Sequence, residues 1–223
     1  MFNKRISIFT GHFGSGKTEV ALNYALELAE RGKRTAIVDF DIVNPFFRTA
    51  DAKAILEEKG IWAVVPVYAN TNVDVPALPP EISSVFEKKE YSVVLDVGGD
   101  DLGARVLSRY RDEIFQDDYE MFFVVNIMRP MTDTIEKIEQ MIWEIEESAR
   151  IKVTKLVNNT NLLQYTSEED ILKGQAMVEA ISQKLGIPIA FISGLGIDGR
   201  SVEEKTGIKV LEMNRQIKLP WDI

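Results

Sequence analysis

Apolar runs of strand length alternate with longer stretches of helical spacing along almost the whole chain. Ile6–Thr10, Thr35–Phe40, Ile61–Val67, Tyr91–Val97, Met121–Ile127, Val153–Val157 and Ile187–Ile192 are the short runs. Most are apolar throughout, the pattern of strands buried on both faces in a parallel sheet. Between them, Lys17–Arg31 sets Val20, Ala21, Tyr24, Ala25, Leu28 and Ala29 at helical spacing, and Asp133–Ala149 does so with Ile135, Ile138, Ile142 and Ile145. Thr49–Lys59, Pro80–Lys89, Asp101–Phe115 and Ser167–Leu185 are predicted as further helices. Asp101 is a candidate N-cap, Ser167-x-x-Asp170 a capping pattern, and Gly32, Gly60 and Gly186 are helix stops. Asn70–Pro80 reads as a loop, and Val210–Pro220 fits either a strand or a short helix. The alternation predicts a three-layer α/β fold, a mostly parallel sheet of about seven strands with helices on both faces. One domain over residues 1–223 is the simplest organisation, since no repeat, low-complexity tract or linker breaks the chain.

Composition narrows the function. A net charge of −9 without a basic stripe argues against sequence-independent nucleic-acid binding, which depends on phosphate neutralisation. The absence of cysteine removes disulfides, thiolate metal sites and Cys-ligated iron–sulfur clusters, and His12, the single histidine, builds no multi-histidine site. No run approaches the roughly 20 apolar residues of a membrane span, and none is read as a signal peptide. A cytoplasmic protein without stable membrane insertion is expected.

The chemistry concentrates behind the first strand. Gly11-His12-Phe13-Gly14-Ser15-Gly16-Lys17-Thr18 matches G-x-x-x-x-G-K-[ST] at every defined position, between an apolar strand and an amphipathic helix. Glycines let the backbone curl round a phosphate with its N–H groups inward, and the helix N-terminus adds positive potential. Lys17 is expected to reach the β- and γ-phosphates, and the Thr18 hydroxyl to ligate Mg²⁺. Glu19, next on the helix, is included among the nucleotide contacts.

Mg²⁺ also needs carboxylates, directly or through water. Two candidates end strands, at the sheet edge where open parallel sheets bind ligands. In Asp39-Phe40-Asp41, alternation puts both carboxylates on one side and Phe40 on the other. Asp96 ends the next strong strand and runs into Gly98-Gly99-Asp100-Asp101.

The phosphate loop, Asp39-Phe40-Asp41, Asp96-Val97-Gly98-Gly99 and Asn158 at a later strand end together resemble the MinD/ParA/ArsA-like branch of P-loop ATPases over most of residues 5–200. The resemblance implies ATP and Mg²⁺ as ligands, with Asp39 and Asp96 holding the metal through water and Asp41 orienting the attacking water. It implies Asn158 at the adenine edge and the loop Ser193–Gly199, with Gly194 and Leu195, against the base. Asn158-Asn159-Thr160-Asn161 lacks the carboxylate of a guanine-reading motif, so ATP is expected over GTP. The family's extra loop lysine, which reaches across a sandwich dimer, is His12 here, followed by Phe13 in place of glycine. Activation in trans therefore does not carry over, and a homodimer stays open. Arg48, Arg105 and Arg109 are the candidate replacement cations. Asp41–Arg48, including Phe46 and Phe47, would form a first switch segment. Slow hydrolysis by a nucleotide-dependent switch serving an unidentified protein partner is the leading expectation. A kinase or ligase acting on a small metabolite, and a binding module with negligible hydrolysis, are the alternatives.

Overall fold

In the computed structural model, residues 1–41, 49–66, 79–99 and 101–217 are described. In chain order the elements are β1 (Ile6–Thr10), α1 (Lys17–Glu30), β2 (Thr35–Phe40), α2 (Lys53–Glu58), β3 (Trp62–Val64), α3 (Glu81–Glu87), β4 (Ser92–Val97) and α4 (Asp101–Ser108). They continue with α5 (Arg111–Phe115), β5 (Tyr119–Val125), α6 (Ile135–Ala149), β6 (Lys155–Asn158), α7 (Glu168–Leu185), β7 (Ile189–Leu195), α8 (Gly199–Thr206) and β8 (Val210–Met213). The strands form one sheet in the order β3-β2-β4-β1-β5-β6-β7-β8, and every pairing is parallel.

Strand alternation divides the core between the two faces. Ile6, Ile8, Val93, Leu95, Phe123 and Val125 lie in the cluster with Ile82, Leu107, Ile138 and Val178, from α3, α4, α6 and α7. Phe9, Ile37, Val94, Phe122, Val157 and Phe191 lie in the opposite cluster with Val20, Tyr24 and Leu28 of α1. Tyr24 is the hub of that second layer, its ring 5.0 Å from Phe9 and 5.8 Å from Phe122. The inner strands are mostly apolar because both of their faces are covered.

Several elements differ from the sequence expectation. The sheet has eight strands rather than seven, because the undecided tail pairs with β7 through Ile192↔Val210 to Leu195↔Met213. As a half-exposed edge, β8 lacks the uniform apolar run of the inner strands. The helix expected over Asp101–Phe115 divides at Arg109–Tyr110, where the Tyr110 ring packs 5.4 Å from Phe86 and 5.5 Å from Phe40. Thr49–Ala52 forms a 3₁₀ turn ahead of α2. Helix α8 was hidden because Val202 and Gly199 are its only buried residues. Its signals are caps: Asp198 accepts from Arg200 N (3.1 Å) and Ser201 N (3.2 Å), and Gly207 ends it. Ser193-Gly194-Leu195 belongs to β7, not to a loop. The capping box at Ser167 and Asp170 is present. The switch residues Asn44, Pro45, Phe46, Phe47 and Arg48, most of the Asn70–Pro80 loop, Asp100, and the tail residues Leu219, Pro220 and Trp221 lie outside the described residues. No helix among the described residues is long and apolar enough to cross a membrane.

Candidate functional site

The site forms where β1, β2 and β4 end side by side. In register, Asp39 lies opposite Asp96, and Asp96 opposite Phe9, one residue before Thr10 and the glycine loop. Strands β4 and β5 flank β1 on either side, which makes this edge a topological switch point. The loop then folds on itself, with Ser15 N donating to the His12 carbonyl (2.9 Å). Gly14 and Gly16 have φ of +78° and +84°, conformations that favour glycine. Gly16 caps α1 with no side-chain hydrogen bond, so no side chain competes for the first amides of the helix.

Lys17 is buried under this loop and sits 2.6 Å from Asp41 Oδ2. Asp41 N donates to Asp39 Oδ1 (3.0 Å), and Thr49 Oγ1 donates to Asp96 Oδ2 (3.1 Å). The Thr18 side chain lies near Asp96 and draws its pKa down. Burial alone would lower the Lys17 pKa, but the charges of Asp96, Asp41 and Asp39 hold it above its ordinary value. Burial pushes the Asp39 carboxyl up, and Asp96 beside it pushes further. Burial also raises Asp96, against the pull of Lys17.

Three buried oxygens here, Asp39 Oδ2, Asp96 Oδ1 and Ser15 Oγ, have no hydrogen-bond partner among the described residues. Orphaned buried acceptors are costly, so they mark the place of an ion or ligand. No group of three or more His, Cys, Asp or Glu side chains among the described residues could hold a metal ion. Two carboxylates and the Thr18 hydroxyl suit Mg²⁺, which is completed by water and phosphate oxygens.

A cavity of about 490 Å³ opens beside the loop, within the range of small-molecule sites. His12, Phe13, Gly14, Gly16, Lys17, Thr18 and Glu19 all line it, as does Leu195. Phe13 is 60% exposed, and His12 Nδ1 donates to the Phe13 carbonyl (2.7 Å).

Asn158 and Gly194 are not among the lining residues. Alternation turns Asn158 toward α7, where Nδ2 donates to the Ile171 carbonyl (3.1 Å) and Gln175 Oε1 (3.3 Å) and Oδ1 accepts from Thr160 N (3.1 Å). The next residue faces the loop instead. Asn159 Nδ2 donates to the Ser15 carbonyl (2.7 Å), and its Oδ1 accepts from Ser193 Oγ (2.9 Å). A Cβ on Gly16 would strike that Asn159 amide. Gly194 lies beneath the Ile197 side chain. Arg105 and Arg109 are exposed on or just beyond α4 and do not line the cavity. The residues that sequence reasoning missed are Asn159, Asn161, Arg129 and the wall formed by Met213, Arg215 and Ile217.

Glu19 holds that wall. Its carboxylate accepts from Gln216 N and from Ile217 N (3.4 Å), while Asn23 Oδ1 accepts from Asn214 N (2.9 Å). Burial raises the Glu19 pKa, and the two backbone amides oppose the rise. Glu19→Ala is expected to cost about 1–2 kcal/mol of stability by orphaning these amides. A thermal melt checks this, and an unchanged melting temperature would count against the assignment.

No protein-family model matches the sequence, and no curated protein matches it. Solved structures do match in fold. Chloroplast FtsY from Physcomitrella patens has 14% identity and a TM-score of 0.57, over 84% of this chain and 57% of that one. The cell division protein ftsY of Thermotoga maritima has 18% identity and a TM-score of 0.55, over 84% and 60%. FtsY of Mycoplasma mycoides has 19% identity and a TM-score of 0.52, over 84% and 59%. This chain therefore spans less than two thirds of the length of each of these proteins. What they share with it is the fold, that of P-loop NTPases.

Proposed function

We propose that this chain is a Mg²⁺-dependent ATP-binding switch of the MinD/ParA-like type, with slow intrinsic hydrolysis, whose nucleotide state is read by a protein partner. The observation that carries the reading is the convergence of Lys17, Asp39, Asp41 and Asp96 beneath the glycine loop, with three orphaned oxygens among them and their neighbours. The order of these motifs along the chain supports the MinD/ParA-like assignment.

In this reading the loop amides and Lys17 bind the phosphates, and Thr18, Asp39 and Asp96 hold Mg²⁺. Mg²⁺ held there would supply charge neutralisation for the phosphates. Asp41 accepts a hydrogen bond from the attacking water. The water oxygen bonds to the γ-phosphorus as the bridging oxygen leaves with ADP, giving phosphate and a proton. The phosphates compete with Asp41 for Lys17, so binding breaks that ion pair just after β2. That release is the switching event.

ATP is favoured by the walls of the cavity. Among the described residues lining it, Glu19 is the one carboxylate, and it is committed to Gln216 and Ile217. Asn161 donates to the Asn159 carbonyl (2.7 Å) and accepts from Leu163 N (3.3 Å). No carboxylate on these walls is left to take the guanine ring N–H groups. Calorimetry is expected to show MgATP binding roughly 10-fold or more tighter than MgGTP. Phosphate release should be slow and should stop when Mg²⁺ is chelated. Tighter GTP binding would overturn the base assignment, and turnover that requires an added metabolite would replace the switch with a transferase.

A further inference from the structure

The loop after β5 brings a cation to the phosphate loop that no sequence motif marks. Arg129 Nε donates to the Gly14 carbonyl (2.9 Å), and Arg129 is one of the residues lining the cavity beside the loop. The arginine stands on a built turn. Asn126 Oδ1 accepts from Met128 N (3.0 Å), the Asn126 carbonyl accepts from Thr132 Oγ1 (2.6 Å), and Thr132 N donates to the Arg129 carbonyl (2.9 Å). Lys137 Nζ ties down the Pro130 carbonyl (2.6 Å). The side chain is therefore presented by a rigid support rather than a free tether, which lowers the entropy cost of using it.

Charge makes the case. Lys17 is surrounded by Asp39, Asp41 and Asp96, so much of its positive charge is already answered by the protein. Arg129 has no carboxylate partner among the described residues, and nothing else there accepts from its guanidinium. Its Nη groups remain as donors, in the planar geometry that suits phosphate oxygens.

We propose that Arg129 is the second cation of the phosphate site, supplied within the same chain: Nε fixes the loop at Gly14 while the Nη groups bind the terminal phosphate of a nucleoside triphosphate. The inference rests on the nucleotide reading above. It gives the chain in cis a charge near the phosphates that His12, half-exposed and bonded to the Phe13 carbonyl, does not supply.

The test compares MgATP and MgADP affinities in the wild-type chain and in Arg129→Gln, Arg129→Lys and Arg129→Ala, with nucleotide-free melting temperatures alongside. Gln keeps a donor for Gly14 without the charge, and Lys keeps the charge without the fork. Arg129→Gln is expected to weaken MgATP by about 10- to 100-fold, the worth of a charge-assisted hydrogen bond, and MgADP much less. Its melting temperature should stay near that of the wild type, and Lys should restore part of the difference. An unchanged ratio of ATP to ADP affinity, or equal loss of both with a lowered melting temperature, overturns the proposal and leaves Arg129 as a prop for the loop. A wild-type chain that binds neither nucleotide removes the nucleotide reading and this inference together. A wild-type chain that binds both, with variants that match it, removes only the inference.

Discussion

Lys17→Ala is expected to lose at least about 100-fold in ATP hydrolysis, and to melt on the order of 10 °C lower even without nucleotide. The first effect follows from losing the ammonium that meets the phosphates in the proposed function. The second follows from what remains. Lys17 and Asp41 form a buried pair at 2.6 Å, with side chains only 5% and 8% exposed. Asp96 and Asp39 also act on Lys17. Without it, three carboxylates share a buried site with no cation from α1. Removing one partner of a buried pair costs about 3–5 kcal/mol.

The partner substitution separates the two effects. Asp41→Asn removes the competitor for Lys17, so MgATP should bind at least as tightly as to the wild type. Hydrolysis should fall by about 10²–10⁴-fold, because the group proposed to orient the water is gone. The double substitution Lys17→Ala with Asp41→Asn should recover much of the melting temperature and none of the turnover. Nucleotide-free melts, calorimetry and phosphate release measure the cycle. A single Lys17→Ala that melts like the wild type would mean that the pair contributes nothing to the folded state.

Gly99→Ala is the second large effect. Gly99 follows β4, three residues beyond Asp96, and lies against the backbone of the phosphate loop. A Cβ there would run into the Gly11 carbonyl oxygen, with the carbonyl carbon at 2.6 Å and His12 N at 3.2 Å. The obstacle is backbone, so no rotamer relieves it. The loop and the segment after β4 must move apart by a fraction of an ångström to an ångström. Displacement on that scale costs about 100-fold in rate when it misplaces groups around a reacting centre. Overpacking adds about 1–3 kcal/mol of instability. Hydrolysis by Gly99→Ala is therefore expected to fall about 100-fold or more while the chain still folds. Gly186→Ala is the control for instability alone: φ there is +69°, which strains an alanine, while a Cβ meets nothing within 4 Å. Wild-type turnover in Gly99→Ala would show that the two segments do not need their close contact.

The sequence alone determined the inner strands of the sheet, the phosphate loop and the carboxylates at the strand ends. These depend on local facts: apolar runs, the spacing of glycines ahead of Lys17, and aspartates closing β2 and β4. Each is set within a few residues of chain. What only the tertiary structure decided depends on contacts between distant positions. Arg129 meets Gly14 across 115 positions, Asn159 meets Ser15 across 144, and Glu19 meets Gln216 across 197. No spacing rule encodes such pairs, because the parallel crossovers that bring them together are fixed by the whole sheet. The exchange of Asn158 for Asn159 shows the same limit in one step. Consecutive side chains near a strand end point to opposite faces, so reading the right element one residue early puts the wrong amide beside the loop.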